Sequence, residues 1–363
     1  MSQQLKKKNI LVTGGAGFIG CALSNRLAGE SQAFVAVDNL LSQVHPGHKR
    51  PEDLNSSAKL VIDDVSERAT WRDLLKEFRP DIVVHLAAET GTGQSLREAS
   101  KHGRTNVLGL TELLDALAYC EVLPEQIVLP SSRAVYGEGA WRDPQGEVFY
   151  PGQRSNAQLS RSQWNFGGTP LRSVFGQTRE NPTSVYGATK LAQENILRSW
   201  AFSFGVPISI LRLQNVYGPG QSPFNPYTGI VILFSRLAKS GGTIELFEDG
   251  LVTRDFVFID DVVDAIVKSI LIKPENGCRQ LDIGSGVTTT LVDLARMITD
   301  FYSAPEAVIC GKYRNGDVRH ASCEISAAFA ELSWTPNWTL EDGITALQNY
   351  LAKGEPEKLV NII

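Results

Sequence analysis

Tyr186 and Lys190 stand four residues apart in "SVYGATK", at the start of what reads as a long helix. That spacing puts a phenol and an ammonium on one helix face. A neighbouring positive charge favours phenolate and draws a pKa near 10 toward working pH, which makes Tyr186 a candidate general base for a hydroxyl proton. Far upstream, "PSSRAVYGEG" (Pro130–Gly139) offers Ser132, a hydroxyl able to bond the same substrate oxygen. Arg133 and Ala134 follow it, so a methyl group stands where an acid or a thiol would add a second base. The third group is Gly14, Gly17 and Gly20 in "VTGGAGFIG". Glycines at this spacing let backbone N–H groups approach a pyrophosphate, which then sits at a helix N-terminus. Asp38 lies at the end of the second apolar run, about 20 residues on. A carboxylate there accepts hydrogen bonds from ribose hydroxyls and repels a 2′-phosphate, which favours NAD over NADP.

These groups need a rigid frame. Short apolar runs at Asn9–Thr13, Ala33–Val37, Lys59–Ile62, Ile82–Leu86, Gln126–Pro130 and Pro207–Leu213 read as strands. Helical patterns alternate with them, through about Gly29, at Trp71–Phe78, near Thr105–Cys120 and at Ser184–Phe204. Alternation of this kind predicts an α/β fold, a Rossmann-type doubly wound parallel sheet covered on both faces. Asp64 and Val65 follow the third strand, within reach of an adenine edge, and Ala87 and Ala88 follow the fourth, where small side chains let a cofactor lie close. After Asn215 the character changes: Tyr217–Gly229 is rich in Gly, Pro and Asn and reads as a loop. A helix is expected at about Ile230–Ser240, a strand followed by acids at Asp255–Asp261, and a helix at Thr289–Asp300, in a smaller C-terminal α/β lobe that binds substrate.

Composition narrows the partners. The 363 residues carry a net charge of −5 with no long basic run beyond Lys6–Lys8, which argues against nucleic acid. Five scattered cysteines have no metal-type spacing, and His45 and His48 lie in a Pro/Gly loop without a ligand set, so no metal is expected. No apolar segment of signal-peptide or membrane-span type appears, which leads to the expectation of a soluble cytoplasmic protein.

Taken together, "VTGGAGFIG", "VDNL", "HLAA", "TNVLG", "SSRAVYG", "YGATK", "LRLQNVYGPG", "TRDFVFIDD" and "DIGSG" resemble the extended short-chain dehydrogenase/reductases, and within them the nucleotide-sugar epimerases and dehydratases. The resemblance covers nearly the whole chain. It implies NAD on the larger domain, residues 1–215, with an excursion at about 140–181 and a returning strand and helix at about 255–283. It implies a nucleoside-diphosphate sugar under a lobe of residues 216–254 and 284–363. Ser132, Tyr186 and Lys190 are then catalytic, and Asn106 is a structural Asn beside the site. Phe18, Ile19, Asn39 and Leu86 join the cofactor set. Asn215 and Arg254 match diphosphate-binding positions, Arg314 and Asp317 a late pair for phosphate and ribose, and Thr90 and Arg133 are placed on the sugar side. A homodimer through Thr105–Cys120 and Tyr186–Phe204 is also implied.

The resemblance makes Arg133 and Ala134 informative. Sugar 4,6-dehydratases carry Asp and Glu there, 3,5-epimerases a Cys and decarboxylases generally a Glu at the position of Ala134. Without those groups, chemistry at C5 lacks its familiar base. Hydride chemistry at C4 remains, and the expected activity is NAD-dependent 4-epimerisation through a 4-keto sugar. "HLAAETGTGQS" and the long polar excursion are similar to bacterial epimerases acting on dTDP-L-rhamnose, although the cysteine pair that some of those carry is missing here. UDP-hexose or UDP-uronate 4-epimerases, an NAD(P)H-dependent 4-ketosugar reductase and a non-catalytic nucleotide sensor are the alternatives.

Overall fold

The computed structural model describes residues 5–222 and 229–353, so the loop expected over Tyr217–Gly229 and the end of the C-terminal lobe lie partly outside the described residues. Seven parallel strands form one sheet: β1 (Asn9–Thr13), β2 (Ala33–Asp38), β3 (Lys59–Ile62), β4 (Ile82–His85), β5 (Gln126–Ser132), β6 (Ile208–Leu213) and β7 (Cys278–Ile283). Their order is β7-β6-β5-β4-β1-β2-β3. Successive residues of a strand face opposite sides, so each strand feeds two cores. Ile10 and Val12 point to one and Leu11 to the other, which is why the inner strands read as unbroken apolar runs. On one face lie α1 (Phe18–Leu27) and, from later in the chain, α6 (Ile259–Leu271). On the other lie α2 (Arg68–Glu77), α3 (Gly109–Tyr119) and α4 (Val185–Phe204).

The order reverses beside β1, where β2 and β4 leave in opposite directions. Ligands bind at such switch points, outside the carboxyl ends of the strands. A smaller C-terminal part is built from α5 (Ile230–Lys239), α7 (Leu291–Tyr302), α8 (Leu340–Lys353) and two-stranded ribbons. One expectation needs correcting. The strand Phe256–Phe258 pairs with Asn215–Tyr217 and stays outside the main sheet; α6 and β7 make the return.

The excursion also differs from a plain surface loop. Trp141–Arg142 pairs antiparallel with Val148–Phe149 and with Thr169–Pro170, and Trp141 is buried edge-on against Phe166 and His320. Its polar composition conceals buried ion pairs. Arg154, 1% exposed, meets Glu138 at 3.4 Å and Glu248 at 2.8 Å, and Arg319 meets Glu248 at 2.9 Å and Asp249 at 2.7 Å. The excursion is thereby fastened to both the Ser132 loop and the small lobe. Among the described residues no helix is long and apolar enough to cross a membrane, and no group of three potential metal ligands occurs.

Candidate active site

The nucleotide cleft is built where β1 runs into α1. Gly14 has φ +64°, and a Cβ there would stand 2.7 Å from the Ala87 nitrogen. Gly20 serves packing, because a Cβ on it would meet the Gly15 backbone at 2.6 Å. Gly17 caps α1 with no side-chain hydrogen bond, which leaves the first N–H groups of the helix for an anion. Asp38 Oδ2 accepts from Ala16 N at 3.1 Å and Oδ1 from Leu40 N at 2.9 Å, so its carboxylate is oriented before any ligand arrives. The cleft is lined by Gly14, Gly17, Asp38, Asn39, Val65, Leu86, Ala87, Ala88 and Thr90. A glycine cradle, an uncapped helix start and a fixed acid fit an NAD molecule.

Other cofactor candidates act at one remove. The side chains of Phe18 and Ile19 pack on the core, so only their backbone faces the helix start. Asp64 accepts from Asn39 Nδ2 at 3.1 Å and Ser66 N at 2.8 Å, bracing one wall. Asn106 sits in a π-helical turn, Gly103–Leu108. Its Oδ1 accepts from Glu89 N at 2.7 Å, and its Nδ2 donates to Glu89 O at 3.0 Å and Thr189 Oγ1 at 2.9 Å. It ties the exit of β4 to α4. Sequence reasoning missed Gln43, Val44 and His45, which close the cleft from the loop after β2. His45 Nε2 lies 3.9 Å from Asp38 Oδ1, a proximity that no spacing rule announces.

The reacting groups meet at the carboxyl end of β5. Ser132 caps the 3₁₀ turn Arg133–Tyr136, its Oγ accepting from Ala134 N at 3.1 Å, and its hydroxyl acts to lower the Tyr186 phenol. Tyr186 sits in the first turn of α4, whose N-cap Ser184 accepts from Gly187 N. Gly187 lets that turn press on the Ser132 loop: a Cβ there would be 2.5 Å from the Ala134 oxygen. Burial pushes Tyr186 up, while the Ser132 hydrogen bond and the Arg133 charge pull it down. The buried Lys190 is brought down to about 8 by burial, against the pull of Glu194, and its Nζ donates to Pro130 O at 2.9 Å.

Toward the small lobe, Arg133 Nε donates to Asn215 Oδ1 at 3.0 Å. Arg254 is half-buried and donates to Thr253 O at 2.7 Å. Asp317 is raised by burial and opposed by the charges of Arg254, Arg314 and Arg133. Arg314 itself is exposed, its guanidinium 4.8 Å from the centre of the Phe247 ring.

Residues 10–158 and 160–284 match the NAD dependent epimerase/dehydratase family. The chain is 55% identical over 347 residues, 95% of each protein, to a dTDP-L-rhamnose 4-epimerase of Burkholderia thailandensis. It is 31% identical to a UDP-glucose 4-epimerase of Mycolicibacterium smegmatis, covering 92% of this chain and 95% of that one. Among solved structures, the UDP-glucose 4-epimerase of Thermotoga maritima with UDP-glucose superposes with a TM-score of 0.77 at 28% identity, over 95% of this chain and 99% of that one. The UDP-glucuronic acid 4-epimerase of Bacillus cereus with UDP-glucuronic acid and NAD gives 0.75 at 26% identity, over the same shares.

Proposed function

From the premise that the chain belongs to the NAD dependent epimerase/dehydratase family, we propose that it interconverts dTDP-L-rhamnose and its C4 epimer, dTDP-6-deoxy-L-talose. The observation that carries this reading is the pairing of an intact Ser132–Tyr186–Lys190 set with a methyl group at Ala134. Oxidation and reduction at C4 need one base and a hydride acceptor. Elimination or epimerisation at C5 needs a further base that this loop does not carry. The 55% identity to the Burkholderia enzyme supports the dTDP sugar over a UDP sugar.

Tyr186 as phenolate takes the proton of the C4 hydroxyl, and Ser132 holds the same oxygen through its hydrogen bond. NAD, held by the cleft at Gly14, Gly17 and Asp38, would supply the hydride acceptor and donor that C4 oxidation and reduction need. Asn215 and Arg254 hold the diphosphate while the 4-keto sugar turns about that linkage and presents its other face. Tyr186 then returns its proton to the C4 oxygen, and the stereocentre is inverted with no net redox change. Gly14, Gly17 and Asp38 hold the cofactor, Asp38 disfavouring a 2′-phosphate. Asp317 and Arg314 complete the nucleotide end. The protein acts in the cytoplasm as a homodimer paired through α3 and α4, where Tyr119 (90%) and Phe202 (92%) stand exposed.

The purified protein, given no added cofactor, is to be incubated with dTDP-L-rhamnose, UDP-glucose and UDP-glucuronic acid in turn. Proton NMR should show the changed C4 coupling with the dTDP sugar. A strict need for stoichiometric NADH or NADPH would make it a reductase, and turnover of a UDP sugar alone would move the substrate reading.

A further inference from the structure

The excursion at about 140–181 has no part in the C4 chemistry described so far, yet it grips one particular stretch of the C-terminal part. Residues 312–319 carry Arg314 and Asp317 and form no helix or strand of their own, so contacts from other segments set their place. The excursion meets this stretch at three points. The Trp164 ring lies 6.1 Å from that of Tyr313, centre to centre. Arg154 Nη2 donates to the main-chain oxygen of Asp317 at 2.8 Å. Asn165 Oδ1 accepts from Arg319 Nε at 2.8 Å.

The same stretch is tied to both segments that carry the reacting groups. Glu138, on the Ser132 loop, accepts from Arg319 N at 2.9 Å through Oε2. Thr183, which directly precedes the α4 N-cap Ser184, donates through Oγ1 to Gly316 O at 3.2 Å. At its far end Arg319 O accepts from Thr253 N at 3.1 Å, one residue before Arg254. Arg154 is where these ties converge. Besides Asp317 O, it meets Glu138 at 3.4 Å and Glu248 at 2.8 Å. A guanidinium is a rigid fork with five donors, so it serves several partners at fixed angles. Charge neutralisation needs only the two carboxylates. The additional bond to a carbonyl of the Asp317 main chain fixes a position.

We propose that Arg154 is a positioning residue for the sugar nucleotide: by holding the Asp317 carbonyl beside Glu138 and Glu248, it sets Arg314 and Asp317 in register with the Ser132 loop and the start of α4. This rests on the reading above that Arg314 and Asp317 hold the nucleotide end. The excursion then acts on substrate grip without touching the reacting atoms. Glu138, Glu248 and Asp317 do not line the NAD cleft, so cofactor binding is separate from this device. Loss of the Arg154 fork loosens the nucleotide and leaves NAD in place.

The test is calorimetric titration of dTDP, and separately UDP, into the NAD-bound full-length protein as wild type, Arg154→Lys and Thr183→Val. Arg154→Lys keeps a positive charge among the buried carboxylates, but a single ammonium cannot reproduce the fork. Thr183→Val removes only the bond to Gly316 O and leaves no charge unpaired. Arg154→Lys should weaken dTDP about tenfold at unchanged stoichiometry and NAD content, and Thr183→Val by a smaller factor. KM for dTDP-L-rhamnose should rise with kcat little changed, as loss of uniform binding requires. An unchanged Kd in Arg154→Lys overturns the proposal. So does a lowered stoichiometry at unchanged Kd, because that marks loss of folded protein alone. If Arg154→Lys does not fold, Thr183→Val decides, and an unchanged Kd there overturns the proposal. Wild type that binds neither nucleotide fails the nucleotide-sugar reading and this proposal with it. Wild type that prefers UDP moves only the substrate reading, and the variants are then judged by their Kd for UDP.

Discussion

At Tyr186, burial and catalysis pull in opposite directions. A phenol inside the site resists ionisation, and the Ser132 hydrogen bond and the Arg133 charge offset that resistance. Tyr186→Phe removes the proton acceptor and little else, so kcat should fall about 10²–10⁴-fold, while NAD copurifying with the protein, read by absorbance after release, stays unchanged. Asp38 makes a separate prediction. Its two oxygens are already oriented by Ala16 N and Leu40 N. Asp38→Asn keeps the shape and loses the charge, and should weaken NAD and lessen the discrimination against NADP, each measured by titration of the cofactor-stripped protein. At this scale much was legible. The phenol, the ammonium, the hydroxyl and the acid are chemically distinctive, and their spacing is local. The neighbours that tune them were not, because His45 beside Asp38 and Arg133 beside Tyr186 meet only through the fold.

Elements set the precision of these contacts. The first turn of α4 rests on the turn after β5, and Gly187 is the residue that lets them touch. Gly187→Ala would drive a methyl to 2.5 Å from the Ala134 oxygen. Overpacking of this kind costs about 1–3 kcal/mol, and because it displaces Tyr186 from Ser132 it should lower kcat more than it raises KM. The excursion carries a second expectation. Arg154→Met would leave Glu138, whose side chain is 2% exposed, without its ion-pair partner, while Glu248 keeps Arg319 at 2.9 Å. Breaking a buried pair from one side costs about 3–5 kcal/mol, which urea unfolding can read. Inner strands such as β1 and β6 were legible because both of their faces are apolar. The excursion and β7 were harder, for one reason. Arg154, and Asp282 with its acceptor bonds from the Tyr136 hydroxyl at 2.9 and 3.0 Å, are buried charges. A sequence reading assigns charges to the surface.

Across the whole molecule, buried titratable groups set a pH window for stability. Burial, with the Lys190 charge behind it, holds His85 down at about 3, and burial with the Arg319 and Arg254 charges holds His320 at about 4. Both lie below the ordinary histidine value, so their contribution is present above about pH 6.5 and lost as pH falls toward 4 and 3. Asp282 runs the other way. Burial raises it to about 7, so its contribution is present in acid and lost as pH rises through 7. Urea unfolding should therefore show a drop of about 2 kcal/mol or more between pH 7 and pH 4.5, and Asp282→Asn, which removes the group that offsets the histidines there, should make that drop steeper and leave the alkaline side unchanged. The lobe arrangement is also a whole-molecule property. The buried ion network joins Glu248 of the C-terminal part, through Arg154, to Glu138 of the Ser132 loop.

The central claim is that the C4 hydrogen leaves as hydride and returns to the same carbon, with Tyr186 handling only the hydroxyl proton. The most direct measurement is the reaction of dTDP-L-rhamnose in D₂O, followed by proton NMR of the isolated epimer. Hydride held on a bound cofactor does not exchange with solvent, so the product should retain protium at C4 and at its neighbours C3 and C5. Stoichiometric deuterium at any of those carbons would contradict it, since that would mean a C–H proton lost to a base, which neither the loop at Ala134 nor the C4 route provides.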